Sequence, residues 1–519
     1  MIRSAADVGA GLAAARQARR IRPGERIHVV GAAGAGASAA ALLAAAAGAE
    51  VTGCDPGAPS PYTPALDAVG IAVAPGHDPA HITAGTAPPR RLAVTKALTA
   101  VDPDHPELRA ARERGIALEP WQQVVADAAV GRTLVGVAGT HGKSTSAGWL
   151  VHVLASAGRD PSAFVGALLP GSLTGGVPAT ARRGRGAPFV VEADEYAGNF
   201  DSYRPGLALV TSIEWDHPDV FADEAAVVAA FEAWIRRMEP GGRLVINVGD
   251  PGAAVLAARL ADWDGSIVAV ALVDQAAQRM GGFARAIAEQ YATADGPATA
   301  ILARTTSLTA TATTLQLYGL DPLAGPVVAR LPLVGRHNAA NGLGVTATAL
   351  ALGVAPDAIV AGLSSFAGVG RRLERKGEVG GVAVYDDYGH HPTAIRATIA
   401  ALRQREPGRR LWAVYEPLTF HRTAALLDAF ADSLATADAV AVADIWAGRD
   451  PDRTIASPMD LADAVAARRP DIAVSAPGSV EATADWLAGE VRDGDVVLVM
   501  GGGRSYVIGE RLLAQLDDR

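Results

Sequence analysis

The stretch LVGVAGTHGKS, from Leu134 to Ser144, contains an apolar strand, a glycine-rich turn and the start of a helix. Such a turn lets backbone N–H groups approach a phosphate closely, and the helix N-terminus adds a favourable partial charge. We interpret it as a phosphate-binding loop, in which Lys143 is an exposed loop lysine that reaches the terminal phosphates and Ser144 ligates magnesium. Val137 occupies the position of the first Walker glycine, so the expected loop is a short variant. An ordinary tight turn before a helix is the alternative.

Nearer the N-terminus, RIHVVG (Arg26–Gly31) is a second strand that runs into a glycine turn and an alanine-rich helix. The turn fits the dinucleotide fingerprint G-x-G-x-x-A from Gly34 to Ala39, and Asp55 follows roughly twenty residues later. This fingerprint indicates a phosphate at a helix N-terminus, but it does not tell which nucleotide carries that phosphate. A UDP-linked substrate and a nicotinamide cofactor both satisfy it.

Four apolar segments near the C-terminus are predicted strands: Val382–Tyr385, Leu411–Tyr415, Ala439–Val442 and Val496–Met500. Strand–helix units therefore recur in three successive parts of the chain, which predicts an α/β fold. At roughly one domain per 150 residues, a chain of 519 residues suggests three domains. We expect boundaries near residues 130 and 368, and hence domains of residues 1–130, 131–367 and 368–519.

The composition favours a folded protein of the cytoplasm. Half of the residues are hydrophobic and 19% are charged, so a buried core is feasible. The net charge of −9 argues against a general nucleic-acid binder, which usually has a basic surface. The one cysteine, Cys54, excludes an internal disulfide, and the N-terminus lacks the features of a secretory signal. We expect a soluble, cytoplasmic protein without a membrane segment.

Carboxylates gather where a further strand ends. EADE (Glu192–Glu195) closes the predicted strand Phe189–Ala193, and His217 follows the predicted strand Leu207–Ile213. Magnesium prefers oxygen ligands and usually shares carboxylates with phosphates. Open α/β sheets bind ligands at the carboxyl ends of their strands, which favours a metal site over a solvated turn. A lone histidine at such a position is usually structural.

Polar clusters also occur in the last 190 residues. Asn338 and Asn341 precede or begin a helix, where they serve either as caps or as contacts to a base. In GVGRR (Gly368–Arg372), one guanidinium can clamp a transferring phosphoryl group, while the other binds a neighbouring carboxylate. DDYGHHP (Asp386–Pro392) ends a strand with polar and turn residues, which indicates a functional site. Asp274–Ala298 receives no functional assignment.

In this order, the motifs resemble the Mur ligases of bacterial cell-wall synthesis. The matching stretches cover nearly the whole chain: VGAAGAGAS (Val30–Ser38), AGTHGKST (Ala138–Thr145), EADE, GRHNAAN (Gly335–Asn341), GVGRR and DDYGHHPT (Asp386–Thr393). The last is specific to the branch that joins L-alanine to UDP-N-acetylmuramate and to its tripeptide-recycling relative. The resemblance implies a Rossmann-like N-terminal domain, a central P-loop ATPase domain and a Rossmann-like C-terminal domain.

The resemblance implies roles in binding ATP and magnesium. Lys143 would steady the β- and γ-phosphates within a loop formed by Gly139, Thr140, His141, Gly142, Lys143, Ser144 and Thr145. Two magnesium ions would be held by Ser144, Glu192 and His217. Adenine would lie against Asn338 and Asn341. On domain closure, the phosphate and ribose would be reached from the third domain by Arg372 and Asp387.

The two remaining substrates are assigned in the same way. The UDP part of UDP-N-acetylmuramate would be held by Gly34, Ala35, Gly36, Ser38, Asp55 and His77. The incoming amino acid would be surrounded by Tyr388, His390 and Arg422. Several sister ligases use a carbamylated lysine after the central histidine, and the absence of lysine between Pro218 and Val248 agrees with the alanine-adding branch.

The amino-acid motif departs from the family pattern. The family usually has aromatic-Gln-Pro-His, whereas YEPLTFHRT (Tyr415–Thr423) places Leu418 at the histidine position and Glu416 at the glutamine position. His421, three residues away, is a candidate for compensating the lost donor. Tyr196 in EADEY and Glu416 both resemble the recycling ligase that attaches a whole tripeptide.

The sequence thus predicts an ADP-forming amide ligase that joins L-alanine to UDP-N-acetylmuramate through an acyl phosphate, as a monomer or a homodimer. The nearest alternative is a recycling ligase that uses L-alanyl-γ-D-glutamyl-diaminopimelate as the amine. Two alternatives come from other classes: a nicotinamide-dependent dehydrogenase and a regulator that hydrolyses ATP slowly. The dehydrogenase hypothesis assigns no role to Lys143, Glu192 or the third domain.

Overall fold

The computed structural model describes residues 2–84, 87–273, 280–293, 299–320, 325–448, 450 and 452–518. Within these ranges the strands form three sheets, with five, ten and six strands in chain order. Of the functionally unassigned segment Asp274–Ala298, residues 274–279 and 294–298 lie outside the described residues. None of the helices in the described part of the chain has the length and hydrophobicity needed to span a membrane.

The first sheet is parallel throughout. Its strands are β1 (Arg26–Val30), β2 (Glu50–Asp55), β3 (Val73–Pro75), β4 (Arg91–Val94) and β5 (Ala117–Pro120), in the order β3-β2-β1-β4-β5. Its helices are α1 (Ala5–Val8), α2 (Ala35–Ala46), α3 (Thr63–Asp67), α4 (Ala80–Thr83), α5 (Lys96–Thr99), α6 (Pro106–Glu113) and α7 (Trp121–Ala128). The strand order reverses at β1, which creates the crevice where doubly wound sheets bind ligands. The glycine turn after β1 lies at this crevice.

The second sheet has a parallel centre with antiparallel edges. Its strands are β6 (Thr133–Ala138), β7 (Ser162–Leu169), β8 (Ala179–Arg182), β9 (Pro188–Ala193), β10 (Leu207–Val210), β11 (Arg243–Asn247), β12 (Ser266–Leu272), β13 (Thr299–Thr309), β14 (Ala312–Tyr318) and β15 (Val327–Leu331). They are ordered β15-β14-β13-β12-β11-β10-β6-β9-β7-β8. Because β6 lies between β9 and β10, the glycine loop and the EADE carboxylates emerge at the same edge of the sheet.

Helices cover both faces of this second sheet. They are α8 (Lys143–Ser156), α9 (Gly171–Thr174), a 3-10 segment (Tyr196–Ser202), α10 (Glu224–Ile235), α11 (Pro251–Arg259), α12 (Met280–Gln290), α13 (Arg336–Ala351) and α14 (Pro356–Ser365). Small residues bring them close: a Cβ on Gly344 would lie 3.0 Å from Leu209 of β10, and one on Gly342 would lie 3.3 Å from Trp149 of α8. The indole of Trp149 stacks on Phe366 with ring centroids 5.2 Å apart. The abundance of alanine and glycine thus serves tight helix–sheet packing.

The third sheet follows the same plan. Its strands are β16 (Glu374–Val379), β17 (Val382–Asp387), β18 (Leu411–Glu416), β19 (Ala439–Ala443), β20 (Ala473–Gly478) and β21 (Val496–Gly501), in the order β16-β17-β21-β18-β19-β20. Among the described strands of this sheet, β16 and β17 form the one antiparallel pair, and all other neighbours are parallel. Its helices are α15 (Pro392–Arg405), α16 (Phe420–Ala425), α17 (Leu427–Leu434), α18 (Pro458–Arg468), α19 (Val480–Glu490) and α20 (Tyr506–Asp517). DDYGHHP therefore bridges β17 and α15.

An ion-pair network attaches the segment before β1 to the first sheet. The Arg19 guanidinium donates hydrogen bonds of 2.9 and 2.6 Å to Glu25. Arg16 and Arg91 both donate to the buried carboxylate of Asp127, at 2.7 and 2.6 Å. Since Arg91 lies on β4 and Asp127 on α7, the network joins three parts of the domain. Buried carboxylates with several guanidinium partners keep their charge on folding.

We expect Glu25→Gln to lower the free energy of unfolding at pH 7 by about 2 kcal/mol. Its hydrogen bond from Arg19 lowers the pKa of Glu25 from 4.5 to about 2. A lowered pKa stabilises the folded chain above pH 4.5, and this contribution is lost as the pH falls towards 2. Urea unfolding at about pH 7, 5 and 3 should show the difference between parent and variant shrinking in acid.

Glu113→Gln, at an exposed position on α6, is the matched control and should unfold like the parent at each pH. A difference between Glu25→Gln and parent that stays constant from neutral to acidic pH would contradict the prediction.

Candidate active site

The glycine loop after β6 is shaped by contacts that only glycine permits. Gly139 has φ = 138°, and a Cβ there would lie 2.1 Å from Thr211 Oγ1. Gly142 has φ = 79° and precedes α8, and a Cβ on it would lie 2.4 Å from Asn341 Oδ1. The loop is fixed by the hydrogen bond from the Thr140 backbone N–H to Ser212 O, 2.8 Å long. The first turn of α8 thereby directs its N–H groups into a cavity, the arrangement that binds phosphate.

Lys143 is the first residue of α8, and its side chain is 14% exposed, so the expectation of an exposed loop lysine is wrong. Its ammonium donates to Gly139 O at 2.6 Å and to Glu195 Oε2 at 2.9 Å, and it lies 3.7 Å from Asp194 Oδ1. Burial lowers the pKa of Lys143, but Glu195 and Asp194 outweigh it, so the pKa stays above its ordinary value. Burial also raises the pKa of Glu195 to about 7, against the opposing effect of Lys143.

The three residues predicted to bind magnesium fall into two groups. Ser144 Oγ donates to Glu192 Oε1 at 2.9 Å, and the other Glu192 oxygen accepts from the Gly166 N–H at 2.6 Å. His217 instead lies with Asp194 and Glu195, with the three ligand atoms within 4.8 Å of one another. The hydroxyl and carboxylate oxygens of the first group are the donors that magnesium prefers. Beside the glycine loop, they fit a magnesium ion that is shared with phosphate.

His217 is held by a residue of the third sheet's domain. It has φ = 57°, a conformation that non-glycine residues adopt rarely, and its ring lies 4.8 Å from that of Tyr196. Arg422 Nη2 lies 3.0 Å from His217 Nδ1, and Arg422 Nε donates to Asp216 Oδ1 at 2.7 Å. Burial raises the pKa of Asp216, but Arg422 outweighs it and holds the pKa well below its ordinary value. The Asp216–Arg422 ion pair therefore crosses between two domains in a buried position.

The two guanidiniums of GVGRR have separate partners. Arg372 Nη2 donates to Ser144 Oγ at 2.8 Å and so reaches the start of α8 from the third domain. Arg371 Nε donates to Asp386 Oδ2 at 2.9 Å. Both guanidiniums face the Tyr388 ring, at 5.2 Å for Arg371 and 5.1 Å for Arg372. Only Arg372 lies beside the glycine loop, where it can neutralise a transferring phosphoryl group.

A cavity of about 310 Å³ lies between α13 and the third domain, next to the glycine loop. Asn338 and Asn341 line it, and Asn341 Nδ2 donates to Asn338 Oδ1 at 3.3 Å. Asp387 lines it from the third domain, where its oxygens accept from the backbone N–H groups of Leu373 and Gly389 at 2.8 and 2.7 Å. The three residues predicted to contact adenine and ribose thus share one cavity.

A series of polar contacts between residues that line this cavity was not predicted from the sequence. Glu214 Oε2 lies 2.8 Å from His141 Nε2, and Glu214 Oε1 accepts from Thr393 Oγ1 at 2.7 Å. The ring of His391 lies 4.8 Å from that of His141. These contacts join the second and third domains. Their sequence signal was the position of Glu214 in Glu214-Trp215-Asp216-His217, the polar segment that follows β10.

The residues predicted to bind UDP lie around the turn after β1, but several of their side chains are already engaged in contacts within the protein. Asp55 accepts from the N–H groups of Ala33 and Gly57, at 3.0 and 2.7 Å, and so shapes this turn. Gly34 and Ala35 lie at the start of α2. A Cβ on Gly36 would lie 2.2 Å from the Trp121 ring. This part of the site presents backbone more than side chains.

Ser38 and His77 have partners within the protein. Ser38 is fully buried, donates to Ala35 O at 2.9 Å and lies 3.0 Å from Thr180 Oγ1 of the second domain. His77 Nδ1 lies 3.1 Å from Cys54 Sγ and 3.6 Å from Glu107 Oε2. The hydroxyl of Ser38 therefore joins two domains, and the imidazole of His77 faces the interior of the first domain on at least one side.

The predicted amino-acid subsite contains Tyr388, His390 and Arg422 in one cavity with Leu418 and Trp446. Leu418 and Trp446 are joined by a backbone bridge, so an apolar wall replaces the family's histidine. His421 does not take over the lost donor role in this cavity. Its backbone N–H and its ring both bond to the buried carboxylate of Asp450.

All three domains line this larger cavity of about 540 Å³. The first domain supplies Gly36 and Trp121, and the third supplies Arg372 and Tyr388–His391 of DDYGHHP. The second domain supplies the glycine loop, Glu192, Asp194 and His217. The glycine loop, acidic oxygens and guanidiniums from another domain therefore converge on one space.

Three family models match the chain in the same order as its sheets. The "Mur ligase family, catalytic domain" matches residues 26–133, the "Mur ligase middle domain" residues 137–349 and the "Mur ligase, glutamate ligase domain" residues 371–503. The chain is a Mur ligase. The predicted three-domain architecture is thereby confirmed, and the dehydrogenase hypothesis has no support in the family match.

Two relatives with the same name align with nearly the whole length of this Mur ligase. A Frankia casuarinae protein named UDP-N-acetylmuramate–L-alanine ligase is 37% identical over 517 residues, covering 95% of this chain and 98% of the relative. A protein of the same name from Kineococcus radiotolerans is 38% identical over 499 residues, covering 95% and 97%.

Solved structures show the same fold. The UDP-N-acetylmuramate-alanine ligase of Thermotoga maritima has a TM-score of 0.73 at 21% identity, with 95% of this chain and 99% of that chain covered. The murein peptide ligase of Psychrobacter arcticus has a TM-score of 0.69 at 24% identity, with 96% and 99% covered.

We expect Arg422→Met to separate the third domain from the second, because it leaves the Asp216 carboxylate buried without its guanidinium. Removing one partner of a buried ion pair costs about 3–5 kcal/mol. Small-angle scattering should show a larger radius of gyration than in the parent. The double variant Asp216→Asn/Arg422→Met should recover part of the compactness, because no buried charge remains.

Arg468→Met is the matched control, since Arg468 forms exposed ion pairs with Asp428 and Asp432 inside the third domain. Identical scattering profiles for Arg422→Met and the parent would show that this ion pair does not hold the domains together.

Proposed function

We propose that this Mur ligase uses ATP to join L-alanine to the carboxylate of UDP-N-acetylmuramate in cytoplasmic peptidoglycan precursor synthesis. The observation that supports this proposal best is the hydrogen bond that Arg372 donates to Ser144. It brings a guanidinium from the third domain to the glycine loop of the second. The names of relatives at 37% and 38% identity support the choice of substrates. Tyr388–His391 of the DDYGHHPT motif line the larger cavity, and this motif supports the alanine-adding branch together with its tripeptide-recycling relative.

The proposed reaction has two steps. An oxygen of the muramate carboxylate attacks the γ-phosphorus of ATP, the bond to the β-phosphate oxygen breaks, and ADP leaves. The amine nitrogen then attacks the acyl carbon, the carbon–oxygen bond to phosphate breaks, and phosphate and a proton are released. Lys143 is the first residue of α8 and Arg372 donates to Ser144 in its first turn, so both cations lie where they neutralise charge on the transferring phosphoryl group. The glycine loop holds the phosphates in line with the attacking carboxylate.

Magnesium fits the oxygen donors beside the loop. Ser144 and Glu192 would hold one ion together with the phosphates, and His217 with Asp194 would hold a second. When bound, magnesium supplies positive charge that offsets the negative charge of the phosphates. Glu195 would then release Lys143 in part, since the ammonium has both the carboxylate and a phosphate within reach.

His390 is proposed to position the amine. Its Nδ1 lies 2.9 Å from the Tyr388 carbonyl oxygen, so Nδ1 carries the proton and Nε2 is the acceptor. Burial lowers the pKa of His390 well below its ordinary value, which keeps the ring neutral. A neutral ring accepts a hydrogen bond from the amine and does not repel it. Leu418 and Trp446 add an apolar wall that suits the methyl group of alanine.

A recycling ligase that takes the tripeptide L-alanyl-γ-D-glutamyl-diaminopimelate is the second candidate. The features in its favour are Tyr196 and Glu416, which resemble the recycling ligase, and the Tyr196 ring lies beside that of His217 in the active site. Glu416 is buried and accepts a hydrogen bond from the Ser505 N–H at 2.7 Å. The carboxylate of Glu416 therefore shapes the glycine turn after β21 and does not enter the cavity. Both candidates share the first reaction step and differ only in the amine.

The test is phosphate release by the purified protein with magnesium, ATP and UDP-N-acetylmuramate, with each amine added separately. The amines are L-alanine, glycine, L-serine and the tripeptide, and the product is identified by mass. We expect turnover with L-alanine. Turnover with the tripeptide alone would replace the proposal by the recycling ligase, and ATP hydrolysis independent of UDP-N-acetylmuramate would support a regulator.

We expect Lys143→Ala to lower the rate of phosphate release by about 100-fold or more, because its charge on the phosphates is removed. The fold should survive, because the buried Glu195, whose pKa is about 7, can take up a proton when it loses its partner. Lys376→Ala, on β16, is the matched control and should retain parental activity. Circular dichroism checks folding, and parental rates in Lys143→Ala would remove Lys143 from the phosphate site.

We expect Glu192→Gln to raise the magnesium concentration needed for half-maximal activity, because an amide is a weaker magnesium ligand than a carboxylate. The amide oxygen can accept from the Gly166 N–H while the amide N–H donates to Ser144 Oγ, so the loop should keep its shape. The measurement is phosphate release across a magnesium titration at saturating ATP. An unchanged magnesium dependence would place the ion elsewhere.

A further inference from the structure

A second cluster of ligand-type side chains lies inside the first domain, away from the phosphate loop. It consists of His28 on β1, Cys54 on β2, His81 on α4 and Glu107 on α6. One ligand atom of each lies within 4.8 Å of all the others. Cys54 and Glu107 are fully buried, and the side chains of His28 and His81 are 3% and 20% exposed. Four elements therefore direct nitrogen, sulfur and oxygen donors at one point.

Four of the six separations between the donors lie within about 0.3 Å of the edges of a coordination tetrahedron. Bonds of about 2.0–2.3 Å to a central zinc place adjacent ligand atoms roughly 3.3–3.8 Å apart. His28 Nε2 lies 3.3 Å from Cys54 Sγ and 3.1 Å from Glu107 Oε1. Cys54 Sγ lies 3.4 Å from Glu107 Oε2, and His81 Nδ1 lies 3.0 Å from Glu107 Oε1. Shifts of a few tenths of an ångström convert these contacts into ligand–ligand edges.

The orientation of two donors is fixed from outside the cluster. His28 Nδ1 lies 2.8 Å from Thr52 Oγ1, which directs Nε2 towards Cys54 and Glu107. Zinc-bound histidines commonly have such a partner on the other ring nitrogen. The Glu107 N–H is bonded to His105 Nδ1 at 3.3 Å, which positions the first turn of α6.

We propose that His28, Cys54, His81 and Glu107 bind a zinc-class divalent cation that stabilises the first domain. The mixed nitrogen, sulfur and oxygen set suits zinc, whereas magnesium prefers oxygen donors alone. On binding, the Cys54 thiol loses its proton to solvent and forms the sulfur–metal bond. The thiolate and the Glu107 carboxylate then balance the two positive charges of the ion, so a buried site carries no net charge.

The cation would join the loop between β3 and α4 to the sheet. This loop carries His77, whose Nδ1 lies 3.1 Å from Cys54 Sγ, and it lies beside the β2 end that carries Asp55. Metal binding would therefore hold in place the end of β2, whose Asp55 shapes the glycine turn after β1. The inference does not depend on the proposed ligase reaction, because it concerns the interior of the first domain.

The test uses untagged, full-length protein stripped with EDTA and then titrated with cobalt(II). Cys54 is the only cysteine of the chain, so a thiolate-to-cobalt charge-transfer band reports this site alone. We expect the band to saturate at one equivalent, to disappear when zinc is added and to accompany a higher melting temperature. Protein purified without chelator should retain zinc by elemental analysis.

Cys54→Ser should abolish the band and lower cobalt affinity about 100-fold, and Glu107→Gln should weaken binding while keeping the band. Asp67→Asn, at an exposed position on α3 of the first domain, is the matched control and should keep both band and affinity. Circular dichroism verifies that each variant is folded.

The proposal is overturned if the parent gives no band and retains no zinc, which would leave the four residues as a hydrogen-bonded cluster. Equal affinity in the parent and Cys54→Ser would also overturn it, since the cation would then bind elsewhere. Neither outcome affects the ligase assay, so failure here is distinct from failure of the proposed function.

Discussion

The hydrogen bond from Arg372 to Ser144 Oγ is the contact on which the arrangement of the active site depends. Ser144 lies in the first turn of α8, and its hydroxyl also donates to Glu192 on the neighbouring strand. One small side chain thereby joins the helix that follows the glycine loop, the strand that carries carboxylates and a third-domain residue more than 220 positions away in the chain. Charge on a phosphoryl group is neutralised fully only when these parts are in contact, because electrostatic stabilisation weakens steeply once water separates them.

Features that short segments of sequence determine could be predicted from the sequence alone. The strand–glycine–helix pattern around Gly139 and Gly142 predicted the glycine loop between β6 and α8, because positive φ and close backbone approach restrict those positions to glycine. The strand ends bearing Glu192 and His217 were recognised because parallel sheets present such ends at one edge. The order of three α/β units followed from recurring strand and helix patterns.

Side-chain partners distant in sequence could not be predicted in this way. The pairing of Arg422 with Asp216 spans 206 residues, and nothing local to either residue indicates the other. The burial of Lys143 against Glu195 and of Ser38 against Thr180 likewise depends on how two chain segments fold together. The loss of the donor at Leu418 was visible in the sequence, whereas the use of His421 by Asp450 required the fold.

The contacts described between the second and third domains are charged or polar, and this has a consequence for the reaction cycle. A buried ion pair such as Asp216–Arg422 gains Coulomb energy but gives up the hydration of both groups, so its net contribution to closure is small. An apolar interface of the same size would hold the domains together more firmly. Bonds such as Thr393–Glu214 and Arg372–Ser144 instead exchange readily with water and with the anionic groups of a nucleotide. A ligase that binds three substrates and releases three products needs an interface that forms accurately and opens again, and polar contacts meet both requirements.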